Sequence, residues 1–346
     1  MANLRQGEQH SYFCEMRYWI FIALLWVSCH SKFNADSTYS PISNQYAQLF
    51  SLRSNGKDTV LYIYQPSDTI LIKKKNNATF LLGSTTQWGY FNRLMKWQSI
   101  KGMTFPHQIA DANFKVNYLF GEHPVKDIMF DQTSLDWEWI QLHATDYFLY
   151  SPFESSPCER LSNTSMLCVP FCDYQESHPL GKLEWIKVIG FLTGQYSIAN
   201  SMYNGEVVRY QSITRAAKKE TILIGSFDGT QFWINSKSSH IHQLIESSGH
   251  QSILNEHDGN LPLDREQLWA ILPKVQHVIL IGTDAQLGFA RQQLNEWKAR
   301  FGCNGYFINS DRTGYFEKSS LDPSHLLESL STLPNPKAGY IEKMTY

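Results

Sequence analysis

The sequence predicts an α/β protein of two Rossmann-like lobes joined by a single long interlobe helix, with a ligand cleft between the lobes. Three observations carry this. First, apolar strand-like runs that end in small-polar loops and open helices occur in two blocks, among them "ATFLLGSTTQWGYFNRL" from residue 78 and "ETILIGSFDGTQFWIN" from residue 220. Second, roughly forty residues without proline follow Pro179, and in them Leu183, Ile186, Ile189, Leu192 and Tyr196 recur at helical spacing. Third, Leu-Asp-x-Glu-x-(Ile/Leu) is written once per block, as "SLDWEWI" at 134–140 and "PLDREQL" at 262–268.

The elements follow in order. Residues 1–29 read as an export signal. The stretch Met16–Cys29 has one arginine, an apolar run too short to span a membrane and a small residue before cysteine, with Met16 an alternative start. Ser28-Cys29 is similar to a bacterial lipobox, which makes Cys29 the expected lipidation site and the anchor to a membrane. Trp26 stands where such motifs usually carry leucine, and an unlipidated signal is the alternative. Residues 30–45 read as a polar tether. The N-terminal α/β lobe is expected over 46–179, opening with a hairpin of "DTVLYIYQP" and "DTILIKKK". The interlobe helix is expected over 180–214, with Gly194 the place where it would break, and the C-terminal α/β lobe over 215–346.

A chain of 346 residues suits about two domains. With 42% hydrophobic, 14% aromatic and 18% charged residues it is globular and rich in rings rather than disordered. A net charge of −2 gives no broad basic surface for nucleic acid. Beyond the leader's Cys14 and Cys29, the cysteines are Cys158, Cys168, Cys172 and Cys303, in an oxidising compartment. The first three share one loop-like stretch, where Cys158 can pair with Cys168 or with Cys172. Paired C-x₂-C spacing, the mark of a zinc site, is missing.

The repeated phrase starts two helices. Asp136 and Asp264 sit as N-caps, and Leu135 with Ile140 and Leu263 with Leu268 have hydrophobic-staple spacing. Gln267 adds capping-box chemistry to the second copy. Glu138 and Glu266 then fall in the first turn, where a carboxylate meets the positive end of the helix dipole.

In a two-lobed α/β protein the loops at strand C-termini line the crevice. Here they carry Trp88, Tyr90, Phe153, Trp233 and Tyr315, an aromatic wall suited to a flat macrocycle or a catecholate. Arg312 is the expected cation for a carboxylate or anionic chelate, and Asp228 completes the ligand-contact set. For each ring the competing role is core packing; for Arg312 it is a surface ion pair. His107, His143, His178, His240 and His242 are scattered, so zinc or manganese binding is a minor reading. No Gly-x-Ser-x-Gly elbow, P-loop or dinucleotide fingerprint is present, and no catalytic residue or cofactor is expected. An exported two-domain enzyme acting on a cell-envelope substrate is the alternative function; a surface adhesion module is a third.

From about residue 45 to the end, the chain resembles the periplasmic substrate-binding proteins of iron-siderophore, haem and cobalamin ABC transporters, the helical-backbone class. "PLGKLEWIKVIG" is similar to the phrase that opens the interlobe helix in many siderophore-type members. "GSFDGTQFWINSKSSHIHQLIESSGHQSIL" and "LPLDREQL" resemble the corresponding parts of the second lobe. The resemblance implies an exported, monomeric, non-enzymatic binding protein that captures a metal chelate or tetrapyrrole in its cleft and delivers it to membrane permease subunits. It also implies that Glu138 and Glu266 dock on arginines of those subunits, a second role beside the dipole one. The chain departs from the family at "ATD", 144–146, where Lys-Pro-Asp is usual, and at "SPFESSPCERL".

Overall fold

The structure, a computed structural model, describes residues 39–64, 69–121, 125–131, 133–143, 145–152, 158–227, 231–253, 260–337 and 339–344. Cys29, Phe153 and Asp228 lie outside the described residues, as does the side chain of Cys158 and hence its pairing.

Strands β1 (Ser40–Ile42), β2 (Phe50–Ser54), β3 (Thr59–Tyr64) and β4 (Thr69–Lys73) form a four-stranded antiparallel sheet in sequence order. β3 and β4 are the expected hairpin. Between β2 and β3 the chain reverses at Asn55-Gly56: the Asn55 Oδ1 accepts the N–H groups of Lys57 and Asp58, and Gly56 takes φ +85°, which a glycine adopts at no steric cost. β1 lies inside the segment expected as a tether, part of which therefore joins the sheet.

The first lobe continues as β5 (Phe80–Leu82), α1 (Thr85–Arg93), β6 (Ile100–Met103), α2 (Ala112–Phe120), β7 (Lys126–Asp127), α3 (Trp137–Leu142), β8 (Tyr147–Tyr150), α4 (Cys158–Leu161) and β9 (Leu167–Pro170). Its strands make a five-stranded parallel sheet in the order β7-β6-β5-β8-β9. Central strands covered on both faces need unbroken apolar runs, which is why "FLL" and "YFLY" lack alternation.

The connector departs from one continuous helix. It is α5 (Pro179–Glu184), α6 (Ile186–Leu192) and α7 (Tyr196–Ser212), interrupted at Trp185 and again at Thr193–Gln195. Gly194 takes φ +76° at the second interruption, the expected breaking point. There the chain folds back: a Cβ on Gly190 would sit 2.5 Å from the Ala199 methyl, so only glycine lets α6 and α7 approach this closely. Two buried carboxylates fix the start of the connector. Glu184 accepts the backbone N–H groups of Gln45, Tyr46 and Ala47 and the Lys187 ammonium at 2.6 Å, while Glu176 accepts those of Gln48 and Leu49 and the Trp185 indole N–H. The "PLGKLEW" phrase thus acts as a clamp on the segment between β1 and β2.

The second lobe comprises β10 (Thr221–Phe227), β11 (Phe232–Ile234), α8 (His240–Ser247), β12 (Gln251–Ser252), β13 (Leu261–Leu263), α9 (Arg265–Ile271), β14 (His277–Gly282), α10 (Leu287–Phe301), β15 (Asn304–Asn309), α11 (Ser310–Thr313), α12 (Tyr315–Lys318), α13 (Pro323–Ser331) and β16 (Glu342–Lys343). Its seven-stranded sheet has parallel β10, β14 and β15 at the centre, with β11, β13 and β16 antiparallel at the margins. One hydrophobic core runs from Phe80 and Tyr147 of the first lobe through Ile189 of the connector to Ile279 and Ile308 of the second. The lobes therefore share buried surface rather than meeting only through the connector.

Candidate functional site

In the first lobe, β5 passes through Gly83, where a Cβ would lie 3.1 Å from the Leu149 carbonyl oxygen, to Ser84. The Ser84 hydroxyl caps α1 by accepting the Thr86 N–H. α1 then rests on α12 of the second lobe. The contact is at Gly89, where a Cβ would come within 1.9 Å of the Glu317 carbonyl oxygen. Glu317 also accepts the Ala110 N–H at 2.7 Å, and Arg93 pairs with Asp322 at 3.8 Å. Because α1 follows β5, and α12 comes after β15, this contact brings the strand-end loops of the two sheets together.

The expected contact residues separate into two groups. Trp88 is 2% exposed and packs edge-on against Phe114; Tyr90 is 1% exposed. Both belong to the core, because α1 turns its apolar side inward against the sheet and the connector. The Tyr90 hydroxyl donates to Asp173 at 2.9 Å and reaches the Lys182 carbonyl at 3.0 Å, a strut between α1 and the connector. Burial, then the adjacent Asp173 carboxylate, push this phenol well above its ordinary range; burial raises Asp173 as well. Tyr315 is buried at 6% and meets Tyr340 edge-on, whereas its neighbour Phe316 is 50% exposed. The pattern of the short α12 inverts the sequence choice: Phe316 is the solvent-facing ring.

Trp233 and Arg312 do stand at the surface. Trp233 projects from β11 at 36% exposure. Arg312 begins a polar cluster at the C-terminal ends of β14 and β15: its Nε lies 2.7 Å from Asp284 Oδ1, Asn309 Nδ2 donates to the same oxygen at 2.8 Å, and Asp311 accepts the Asp284 N–H at 2.9 Å. An arginine so held keeps further N–H donors in its planar fork for an anionic group. Nearby, Phe227 and Phe289 stack with centroids 5.1 Å apart, a pair that sequence reading missed because Phe289 lies within a helix rather than a strand-end loop. Phe105, after β6, takes φ +50°, a left-handed conformation that costs a non-glycine residue and sets the turn into His107. Its odd backbone has no sequence signature. Among the described residues, no group of three or more His, Cys, Asp or Glu side chains converges as a metal site, and His240 and His242 lie apart on α8.

Both copies of the repeated phrase cap as expected. Asp136 accepts the Trp139 N–H at 3.0 Å; Asp264 accepts the Gln267 N–H at 2.8 Å, and Gln267 Oε1 accepts the Asp264 N–H in return. Leu135 with Ile140, and Leu263 with Leu268, each share one apolar cluster. Glu138 and Glu266 are exposed in the first turn of α3 and α9.

No family profile matches the chain. No curated protein matches it either. Solved structures do. A periplasmic binding protein of Veillonella parvula superposes with a TM-score of 0.60 at 10% identity, covering 83% of this chain and 98% of its own. An ABC-type Fe3+-hydroxamate transport protein of Saccharomonospora viridis gives 0.58 at 14% identity, covering 78% and 97%. A periplasmic haem-binding protein of Vibrio cholerae gives 0.58 at 14%, covering 75% and 100%. The chain is therefore similar, over nearly the whole of each, to proteins at identities where only architecture is shared, and its fold is the two-lobed α/β fold of periplasmic binding proteins of ABC transporters.

Proposed function

We propose that this protein is the extracytoplasmic substrate-binding component of an ABC importer, a lipoprotein anchored through Cys29 that captures an iron-siderophore, haem or cobalamin-type ligand between its lobes. The observation that carries the reading is the near-complete coverage of three solved structures: an ABC-type Fe3+-hydroxamate transport protein, a periplasmic haem-binding protein and a further periplasmic binding protein. Trp233, Phe316 and Arg312 supply the chemistry for such a ligand: two accessible rings for a planar or aromatic face, and a guanidinium for a carboxylate or chelate charge. Phe153 and Asp228 remain proposed contacts of the same loops. Trp88, Tyr90 and Tyr315 act behind this surface, as its rigid support. Glu138 and Glu266 dock on basic residues of two permease subunits, one per lobe. The protein works as a monomer and performs no chemistry on its cargo.

Titration of the purified chain with a ferric hydroxamate, a ferric catecholate, haem and cyanocobalamin, followed by intrinsic tryptophan emission, tests this. One of them is expected to quench saturably. If none does, and a cell-envelope substrate is turned over instead, the enzyme reading takes its place.

A further inference from the structure

A pocket of about 460 Å³ lies away from the strand-end loops, between the C-terminal end of α7, the length of α13 and the turn that follows it. This volume falls in the range that holds small ligands. Among the described residues its walls carry mostly polar and charged side chains, with Ile213 an aliphatic one, and polar and apolar surface both line it.

The hydrogen-bond directions along its walls specify what would fit. Ser212 donates its hydroxyl to the Arg209 carbonyl at 2.8 Å, Ser331 to the Leu327 carbonyl at 2.8 Å, and Thr332 to the Glu328 carbonyl at 2.9 Å. With the protons turned into backbone carbonyls, oxygen lone pairs are what these side chains can offer a ligand, one of Thr332's being already taken by the Lys337 N–H at 3.1 Å. Ser324 is different. It is 1% exposed, its N–H is taken by Glu206 at 2.9 Å, and its Oγ has no hydrogen-bond partner among the described residues. A buried hydroxyl without a partner costs free energy that a bound polar group would recover. At the rim stand two cations, Arg209 and Lys337, with side chains 63% and 61% exposed. Arg209 uses one terminal nitrogen on Glu206 at 3.3 Å, and Lys337 pairs with Glu328; both keep further donors.

We infer that this pocket is a second small-molecule site, taking a small polyhydroxylated anion whose carboxylate or phosphate meets Arg209 and Lys337 while its hydroxyls donate to the serine and threonine walls and engage Ser324. The site is independent of the cleft and of its ligand. Donors at the rim and acceptors along the wall match a molecule with its charge at one end and a chain of hydroxyls behind it. A bare anion would leave the walls unused; a neutral sugar would leave the cations unused.

Isothermal titration of the full chain with gluconate and with glucose 6-phosphate tests the assignment. Saturable binding of at least one, with one site per chain, is expected, and Arg209→Ala and Lys337→Ala should each weaken it about tenfold or more. That fold-change corresponds to about 1.4 kcal/mol. Ser324→Ala should weaken it less, and Trp233→Ala not at all. Thermal melts of each variant confirm that the fold survives, and Arg209→Lys, which keeps a charge, should retain part of the affinity. Inorganic phosphate and glucose should each bind at least tenfold more weakly than the hydroxylated anion. Absence of saturable binding by both hydroxylated anions overturns the proposal, as does phosphate binding equal to theirs, or affinity untouched in both alanine variants.

Discussion

The Glu317 carboxylate of the second lobe accepts the Ala110 N–H of the first at 2.7 Å, beside the point where Gly89 lies against Glu317's own carbonyl oxygen. The two lobes are thus latched by a side chain-to-backbone bond, with their backbones in close approach at Gly89, next to the strand-end loops. A methyl group at position 89 has no room, since its Cβ would come 1.9 Å from that oxygen. Gly89→Ala should therefore force α1 and α12 apart. The expected cost is about 1–3 kcal/mol for overpacking, seen in urea denaturation, with a larger radius of gyration in solution scattering. Unchanged scattering and stability would show that the latch does not set the angle between the lobes.

The clamp at the start of the connector gives the largest expected stability effect. Glu184 is fully buried and satisfies three backbone N–H groups together with Lys187, whose side chain is 4% exposed and lies over the Tyr203 ring. Removing the carboxylate leaves a buried ammonium uncompensated, for which about 3–5 kcal/mol is the expected loss in Glu184→Ala. Glu184→Ala combined with Lys187→Met should recover part of it, because the stranded charge is gone. Chemical denaturation of both variants measures this; equal losses in the two would mean that the backbone N–H groups, not the ion pair, dominate.

His178 makes the fold acid-sensitive. Its Nδ1 accepts the Leu180 N–H at 3.0 Å as the cap of α5, and its ring stacks on Tyr46 at 4.3 Å. Accepting that bond requires an unprotonated ring, and burial lowers the imidazole from 6.5 to about 4. A depressed folded-state value means that the histidine's stabilisation is fully present above pH 6.5 and is lost as pH falls through about 4. His178→Asn keeps a cap acceptor without a titrating group. Its thermal stability should fall less between pH 6.5 and 4 than that of the wild type; parallel pH curves would remove His178 from the account.

How far the sequence could be read depended on the kind of constraint. Binary pattern and capping chemistry are local, so the strands "FLL" and "HVILIG", the caps Asp136 and Asp264 and the order of two lobes were legible. What failed depended on which neighbour a side chain meets. Trp88 and Tyr90 follow a strand-end loop in sequence, yet helix α1 turns both into the core. Of Tyr315 and Phe316, composition favours neither; only the packing of α12 on Tyr340 and α1 decides that Phe316 faces out. The connector broke at Gly194 as expected, but it also breaks at Trp185, where the indole N–H donates to Glu176 and no glycine or proline marks the place. Glycine within "TTQWGYF" was the one visible hint of the latch, since a mid-helix glycine often marks close backbone approach.

Burial divides the two candidate tryptophans. Trp88→Ala should lower stability by about 3–5 kcal/mol, since it empties a packed site beside Phe114. Trp233→Ala should leave stability within roughly 0.5 kcal/mol while weakening cleft ligand affinity by about 1–3 kcal/mol and removing part of the emission quench. Fluorescence titration and denaturation of the two variants check both halves. Full affinity in Trp233→Ala would take that ring out of the ligand site.

The repeated phrase yields the sharpest test of transport. As dipole partners alone, Glu138 and Glu266 should each be replaceable by glutamine at about 0.3–1 kcal/mol, because Asp136 and Asp264 already hold the caps. As docking charges they behave differently: a carboxylate facing a guanidinium across an interface sets encounter and register, and a reversed charge is repelled. Both are exposed and neither sits in the strand-end loops, so reversal should not reach the ligand. Glu138→Lys with Glu266→Lys is therefore expected to keep cleft ligand affinity and nearly all stability while abolishing uptake in cells that carry the partner transporter. Each single reversal should give a partial loss, since in the proposed docking each lobe engages its own subunit. Normal uptake by the double variant would leave the two glutamates with the dipole role only.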